Sequence, residues 1–309
     1  ALALTSQATA IGAEATATGY QATAIGGNVK ATGNGSVAIG GDDLGTVDRT
    51  LYTTLTGATL PTTYVSTEAS GGGATALGVQ AKADGEFGTA IGMTSLASGD
   101  ASVSIGAKAT ASKDATTAIG VNSSASEKYA SAIGLNSTAS GEYATSIGAG
   151  GKTVANATQA TAAGAIALGG NVTAGAKASG ADSIAIGGQS IASGQASIAI
   201  GKGAKQTGNT SIDANNIAMG TNAQNGNTLS GKLEGFEGSQ IALGTNTKTV
   251  TDGQIAIGHA AYAGAQNHSI AIGTLTSNGS TGNSDISLGR KAMTYGRDST
   301  AISTGAEVW

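Results

Sequence analysis

The chain has no cysteine and a single proline, and only seven tyrosines, two phenylalanines and one tryptophan among 309 residues are aromatic. Charged residues make up 11%, with 15 Lys and Arg against 19 Asp and Glu, for a net charge of −4. Each scarcity excludes something. Without cysteine there is no disulfide scaffold, no thiolate zinc site and no thiol nucleophile. A small negative charge with no basic block argues against nucleic acid as a partner. No apolar run reaches the roughly 18 residues that a membrane-spanning helix requires. Large aromatic and Leu side chains normally fill a globular core, and there are too few of them here to do so. Yet 39% of residues are hydrophobic, mostly Ala with some Ile, which is too apolar and too regularly patterned for disorder. Ala1 opens the chain with no signal-peptide pattern behind it, so a processed or excised piece of a longer protein is expected.

What the chain has in excess is glycine, 51 residues, and the glycines mark a repeat. The tripeptide [Ala/Ser]-[Ile/Leu/Met]-Gly occurs seventeen times, from Gly12 to Gly289, and an eighteenth copy ends in Ser303 instead. Nine of the sixteen intervals are 14 residues and the others are longer, as insertions would make them. The residue before the glycine is a large aliphatic in all seventeen copies, and the one before that is Ala in fourteen and Ser in three. The next one back is β-branched in every copy but Ser131, mostly Thr or Val early and always Ile from Ile166 onward. This alternation of large and small predicts a short strand. After the glycine, small residues recur at the third and fifth places, as at Ala81 and Ala83, with polar neighbours such as Lys82 between them. That predicts a second strand, small on one face and polar on the other. A further glycine near the seventh place, such as Gly85 or Gly99, predicts the second turn.

Two strands and two turns in 14 residues make a flat coil, and stacked coils make an all-β parallel solenoid, about 80 Å long for seventeen layers at roughly 4.8 Å each. Its interior is predicted to be Ala alone, being too thin for anything larger. The first strand is apolar on both faces and is therefore expected to be covered on both. Left open, its aliphatic stripe would be on the order of 800 Å², above the about 300–600 Å² of the largest patch on ordinary monomers. A homo-oligomer that closes these columns on a shared axis is the expectation.

Segments such as Gly35-Ser36-Val37-Ala38-Ile39-Gly40, Ser183-Ile184-Ala185-Ile186-Gly187 and Ser197-Ile198-Ala199-Ile200-Gly201 resemble the head repeats of trimeric autotransporter adhesins, the YadA-like head. The resemblance implies a left-handed parallel β-roll, homotrimeric, displayed on the cell surface at the outer membrane of a Gram-negative bacterium by a stalk and a C-terminal barrel anchor. Handedness and the number three come from the resemblance, not from the residues. Residues 1–309 are then one head, with insertions at about 41–73, 149–163 and 221–239. No heptad repeat precedes Trp309, so stalk and anchor are expected outside these residues, and 304–309 is a candidate start of a following head module. The membrane is a partner only through that absent anchor. The trimer interface is assigned to Ile11, Ile25, Ile39, Ile91, Ile105, Ile119, Ile133, Ile147, Ile186, Ile200, Ile257 and Ile272.

The first insertion, with Leu51, Tyr52, Leu55, Leu60, Pro61 and Tyr64, reads either as an excursion packed on the roll or as a ligand-contacting loop. The last, with Leu229, Lys232, Leu233, Glu234, Phe236 and Glu237, reads the same two ways. No catalytic constellation emerges, and no cofactor or metal is expected: His259 and His268 have no acidic or nucleophilic group at ligand spacing. Ser146 to Thr153 misses the phosphate-loop pattern at its first glycine. Phe87, Tyr129, Tyr143 and His268 each lie five residues before a repeat glycine, which predicts stacking at one corner. The expected function is adhesion to extracellular-matrix proteins such as collagen, fibronectin or laminin, to other cells, or to abiotic surfaces. Ser36, Ser183, Ser197, Tyr52 and Tyr64 are the candidate contacts. The alternative is a monomeric ice-binding or surface-array solenoid, with Thr9, Thr23, Thr75, Thr89, Thr117 and Thr145 in one column, although that column changes to Ile at Ile166.

Overall fold

In-register stacking of the 14-residue repeat generates the fold. In the computed structural model, residues 1–45, 47–149, 153–207, 215–226, 239–251, 253–264, 268–279, 284–296 and 298–309 are described. They form two units, Ala1–Ala160 and Thr161–Trp309. In the first, strands such as Thr89–Ile91, Val103–Ile105 and Thr117–Ile119 pair in parallel, Thr89 opposite Val103 and Ile91 opposite Ile105, so identical columns form ladders. The second strands, such as Leu96–Ala97 and Thr110–Ala111, form a second parallel sheet in the same register. The second unit repeats this, with Ile184–Ile186 on Ile198–Ile200 in one sheet and Lys177–Ala178 on Ile191–Ala192 in the other. The expected parallel solenoid is therefore present in each unit.

Alternation along each strand decides what lies inside. In one coil the inward positions are Ala90, Ser95, Ala97 and Ser102, all at most 1% exposed, and the outward ones, Thr89 and Ile91, are half-buried. The two sheets lie so close that the first unit's interior is almost all Ala and Ser. Several inward Ser and Thr hydroxyls reach a carbonyl three residues back, as Ser36 Oγ does to Gly33 O at 2.7 Å and Ser95 Oγ to Gly92 O at 2.8 Å. Ser102 and Ser104 are buried without such a partner. Replacing both by Ala is expected to raise unfolding stability by about 1 kcal/mol or more, because a buried unpaired hydroxyl costs desolvation for no bond. A urea titration checks this, and a loss of stability would contradict it.

The second unit departs from the expected all-Ala interior. Gln206, Asn216, Asn225, Gln240, Gln254 and Asn278 are all fully buried there. Their amides bond to backbone and side-chain groups of the same and adjacent coils. Gln206 Oε1 accepts from Ser193 N at 3.0 Å and Gly194 N at 2.6 Å, and Gln254 Oε1 accepts from Val250 N and Thr251 N. Asn216 Oδ1 accepts from Gln240 N at 2.7 Å, and Thr249 Oγ1 lies 2.8 Å from both Asn225 Oδ1 and Gln240 Oε1. A buried polar group is tolerated when it is bonded in this way.

The first insertion contains the one α-helix among the described residues, Arg49–Thr56. Asp48 caps its start by accepting from Thr50 N and Leu51 N at 2.9 and 3.0 Å, and Gly57 ends it at φ 64°. Leu44, Tyr52 and Leu60 pack with Val79 and Met93, residues that follow repeat glycines. Gln80 Nε2 donates to Asp42 O and Thr63 O, both at 2.9 Å, tying the two ends of the excursion to the coil. In the 149–163 insertion the described part is a short 3₁₀ turn, Val154–Asn156, followed by the strand Gln159–Ala160. The apolar residues singled out between 229 and 237 lie outside the described residues, as do Gly150 to Lys152 of the phosphate-loop near-miss.

Candidate functional site

Each coil offers four surfaces: the outer face of its first strand, the outer face of its second, and two corners. The first-strand face carries the aliphatic ladder. Ile25, Ile39, Ile91, Ile105, Ile119, Ile133, Ile186, Ile200 and Ile257 are half-buried, since each packs along its column against the coils beside it, while Ile11, Ile147 and Ile272 are exposed. Beside them runs a Thr and Val column in the first unit that becomes Ile184, Ile198, Ile217, Ile241, Ile255 and Ile270 in the second. Among the described residues nothing covers this face.

The second-strand face is polar and open to solvent. Its ladder reads Lys30, Glu68, Lys82, Leu96, Thr110, Ser124 and Thr138 in the first unit. Lys82 Nζ lies 3.8 Å from Glu68 Oε2, a surface pair that contributes little to stability.

The corners are built from residues at positive φ, most of which are not glycine. One corner carries Asn28, Gln80, Thr94, Lys108, Asn122 and Asn136, near φ 51–59°. Amides favour this conformation and bridge successive coils, as Asn122 Nδ2 does to Asn136 Oδ1 at 2.8 Å. The other corner holds Phe87, Tyr129, Tyr143 and His268, at φ 56–65°. Tyr129 and Tyr143 stack with centroids 4.8 Å apart and planes 9° from parallel. Phe87 and His268 instead sit over Gly73 and Gly253 of the preceding coil, where a Cβ would touch their rings. The stack expected of all four is thus a stack of the two tyrosines, with two rings seated on glycines. Beside it, Lys128 Nζ meets Asp114 Oδ2 at 2.9 Å; that hydrogen bond, and then the charge of Lys128, hold the Asp114 carboxyl below the usual carboxylate range. Since the pair is solvent-exposed, its loss as acid protonates Asp114 touches stability only slightly.

The structure relocates most of the candidate contacts. Ser36, Ser183 and Ser197 are fully buried, four residues before their glycines and therefore inward beside Ala38, Ala185 and Ala199. Their side chains present nothing to a partner, which corrects their assignment as contacts. Tyr52 is buried too, with its hydroxyl 3.3 Å from Thr94 Oγ1, and serves to dock the helix. Tyr64 stays 71% exposed, at the rim of a cleft with Asp42, Asp43 and Arg49. His259 and His268 are exposed at opposite corners of their coils, and the described residues hold no cluster of three or more His, Asp or Glu. No helix among them is long and apolar enough to cross a membrane.

The described surfaces hold no catalytic grouping; what they offer is repetition. The family model for the YadA head domain repeat matches residues 6–28, 30–42, 69–95, 97–123, 125–150 and 178–204, just under half of the chain. The coils from 205 onward have the same strand register without a match. No curated protein matches the chain.

Proposed function

Since the chain carries YadA head domain repeats and folds into the parallel solenoid expected of them, we propose that it is the head of a trimeric autotransporter adhesin. Residues 1–309 are one head of this kind, a left-handed roll in which three copies cover one another's aliphatic ladders, held at the outer membrane of a Gram-negative bacterium. The observation that carries the trimer is the uncovered first-strand face, whose columns have the composition of a core and the position of a surface. Committing that face to self-association leaves the second-strand face and the corners for adhesion. Its targets are extracellular-matrix proteins such as collagen, fibronectin or laminin, other cells, or abiotic surfaces. Repetition suits the task, because weak contacts in register add avidity.

The contact surface is tested on Thr110, Ser124 and Thr138, which point outward in successive second strands. Changing all three to Gln, which adds bulk without stacking like charges on adjacent strands, is expected to weaken attachment to immobilised collagen, fibronectin, laminin or plastic by about tenfold or more, through lost avidity, with the melting temperature little changed. Undiminished attachment would remove this face from the reading and leave the insertion around Tyr64.

A further inference from the structure

The second-strand ladder changes character in the second unit. In successive register it reads Lys177, Ile191, Lys205, Gln224, Lys248 and Tyr262. A lysine stands on every second coil with an uncharged residue between. In the first unit Lys82 pairs with Glu68 on the adjacent coil; here no described acidic residue pairs with Lys177, Lys205 or Lys248. Lys248 Nζ instead lies 5.9 Å from the Tyr262 ring centroid.

The lysines stand along a groove. Lys177, Ile191, Lys205 and Gln224 line a hollow of about 350 Å³ whose side is the corner amides Gln189 and Asn222. It continues past Gln224 and Asn222 into a second hollow of about 280 Å³, lined by Asn246 and Lys248. Gly203 occupies the corner between Gln189 and Asn222 at φ 68°, so the wall is lowered at that coil. The face thus combines isolated cations, amides that both donate and accept, an aliphatic floor and one aromatic ring.

We propose that this groove binds a linear acidic polysaccharide carrying one carboxylate or sulfate per disaccharide. The spacing selects the ligand: two coils at roughly 4.8 Å each put successive lysines about 10 Å apart, the length of two linked pyranose rings. Intervening neutral rings meet Ile191 and Gln224, and the amides serve their hydroxyls. That separation is about one Debye length at 0.1 M salt, so each lysine holds its own anion and binding weakens as salt rises. A nucleic acid strand, with a charge on every nucleotide and bases to stack, finds one aromatic ring and half the cations it needs. The groove lies on one chain and needs neither the trimer nor any protein ligand, so its failure and the failure of the adhesin reading are separable.

The test is binding of a hyaluronan octasaccharide to the full 309-residue chain in low salt. We expect saturable binding, weakened at least tenfold in the triple variant Lys177→Gln/Lys205→Gln/Lys248→Gln. Lys30→Gln/Lys82→Gln in the first unit leaves it unchanged, and neutral dextran does not bind. The variant Lys205→Gln/Gln224→Lys keeps the charge but breaks the alternation, and is expected to lose severalfold. Absence of binding by the parent chain, equal binding by the triple variant, equal binding by the phase-shifted variant, or equal affinity for a single-stranded oligonucleotide would each overturn the proposal. All substituted side chains are on the outer face, and a melting curve for each variant separates lost binding from lost fold.

Discussion

Replacing Gly106 by alanine is expected to destabilise the first unit by about 3 kcal/mol or more, through two independent penalties. Its φ of 131° lies where an L side chain is strained. A Cβ built there also stands 2.6 Å from both the carbonyl carbon and the oxygen of Gly120 in the next coil. The coils cannot separate to relieve the contact, because Gly106 N bonds Ile91 O at 2.8 Å and Gly120 N bonds Ile105 O at 2.7 Å, and the ladder repeats on both sides. Gly35 is the control. Its φ is 66° and nothing lies within 4 Å of a Cβ there, so Gly35→Asn is expected to cost less than about 1 kcal/mol, Asn being tolerant of that region. Urea unfolding of the two variants measures both; similar losses at both sites would mean that the close approach of stacked coils is not what requires the repeat glycine.

The second large effect belongs to the aliphatic ladder. The triple variant Ile105→Thr/Ile119→Thr/Ile133→Thr is expected to dissociate the assembly while the coils stay folded. Threonine already occupies the neighbouring column of this face at Thr89 and Thr117, so strand preference is kept. Each buried aliphatic contributes about 1.5–3 kcal/mol. Even half of that at three positions per chain shifts the association constant by more than about a hundredfold. Sedimentation velocity reads the change and far-ultraviolet circular dichroism confirms the strands. An unchanged oligomer would show that a different surface holds the copies together.

The repeat made the coil readable because the same chemistry is restated at each turn. Ala beside Ile before a glycine fixed the direction of both side chains, and the 14-residue interval fixed the register. Ser36, Ser183 and Ser197 look like surface polar residues by type, but the same alternation, carried two residues further back from Ala, turns them inward. The helix Arg49–Thr56 is only about two turns long, too short for its apolar Leu51, Tyr52 and Leu55 to stand out from the Thr around them, and its further signals are the cap Asp48 and the terminating Gly57. Glycine is the residue a tight turn leads one to expect at the corners, yet Gln80, Phe87, Thr94 and Tyr129 take the left-handed conformation there. The second glycine of each repeat answers a different need. At Gly85 φ is not positive, but a Cβ would collide with the Gly99 carbonyl of the next coil. The amides inside the second unit stand in inward columns: Asn216, Gln240 and Gln254 lie four residues before their glycines, the place that Ser36 holds, and Gln206, Asn225 and Asn278 lie five after theirs, where Ala83 stands in its coil. The alternation gives their direction, and their size is what a small-residue interior does not lead one to expect.

Glycine and alanine allow the coils to stack closely, and that thinness leaves the large aliphatics no place but the outside of the first strand. Whether other copies cover them is settled by the native mass of the purified chain at micromolar concentration. Sedimentation equilibrium is expected to give a single species of three times the 29.4 kDa chain, and a folded monomer with these columns open to water would contradict it.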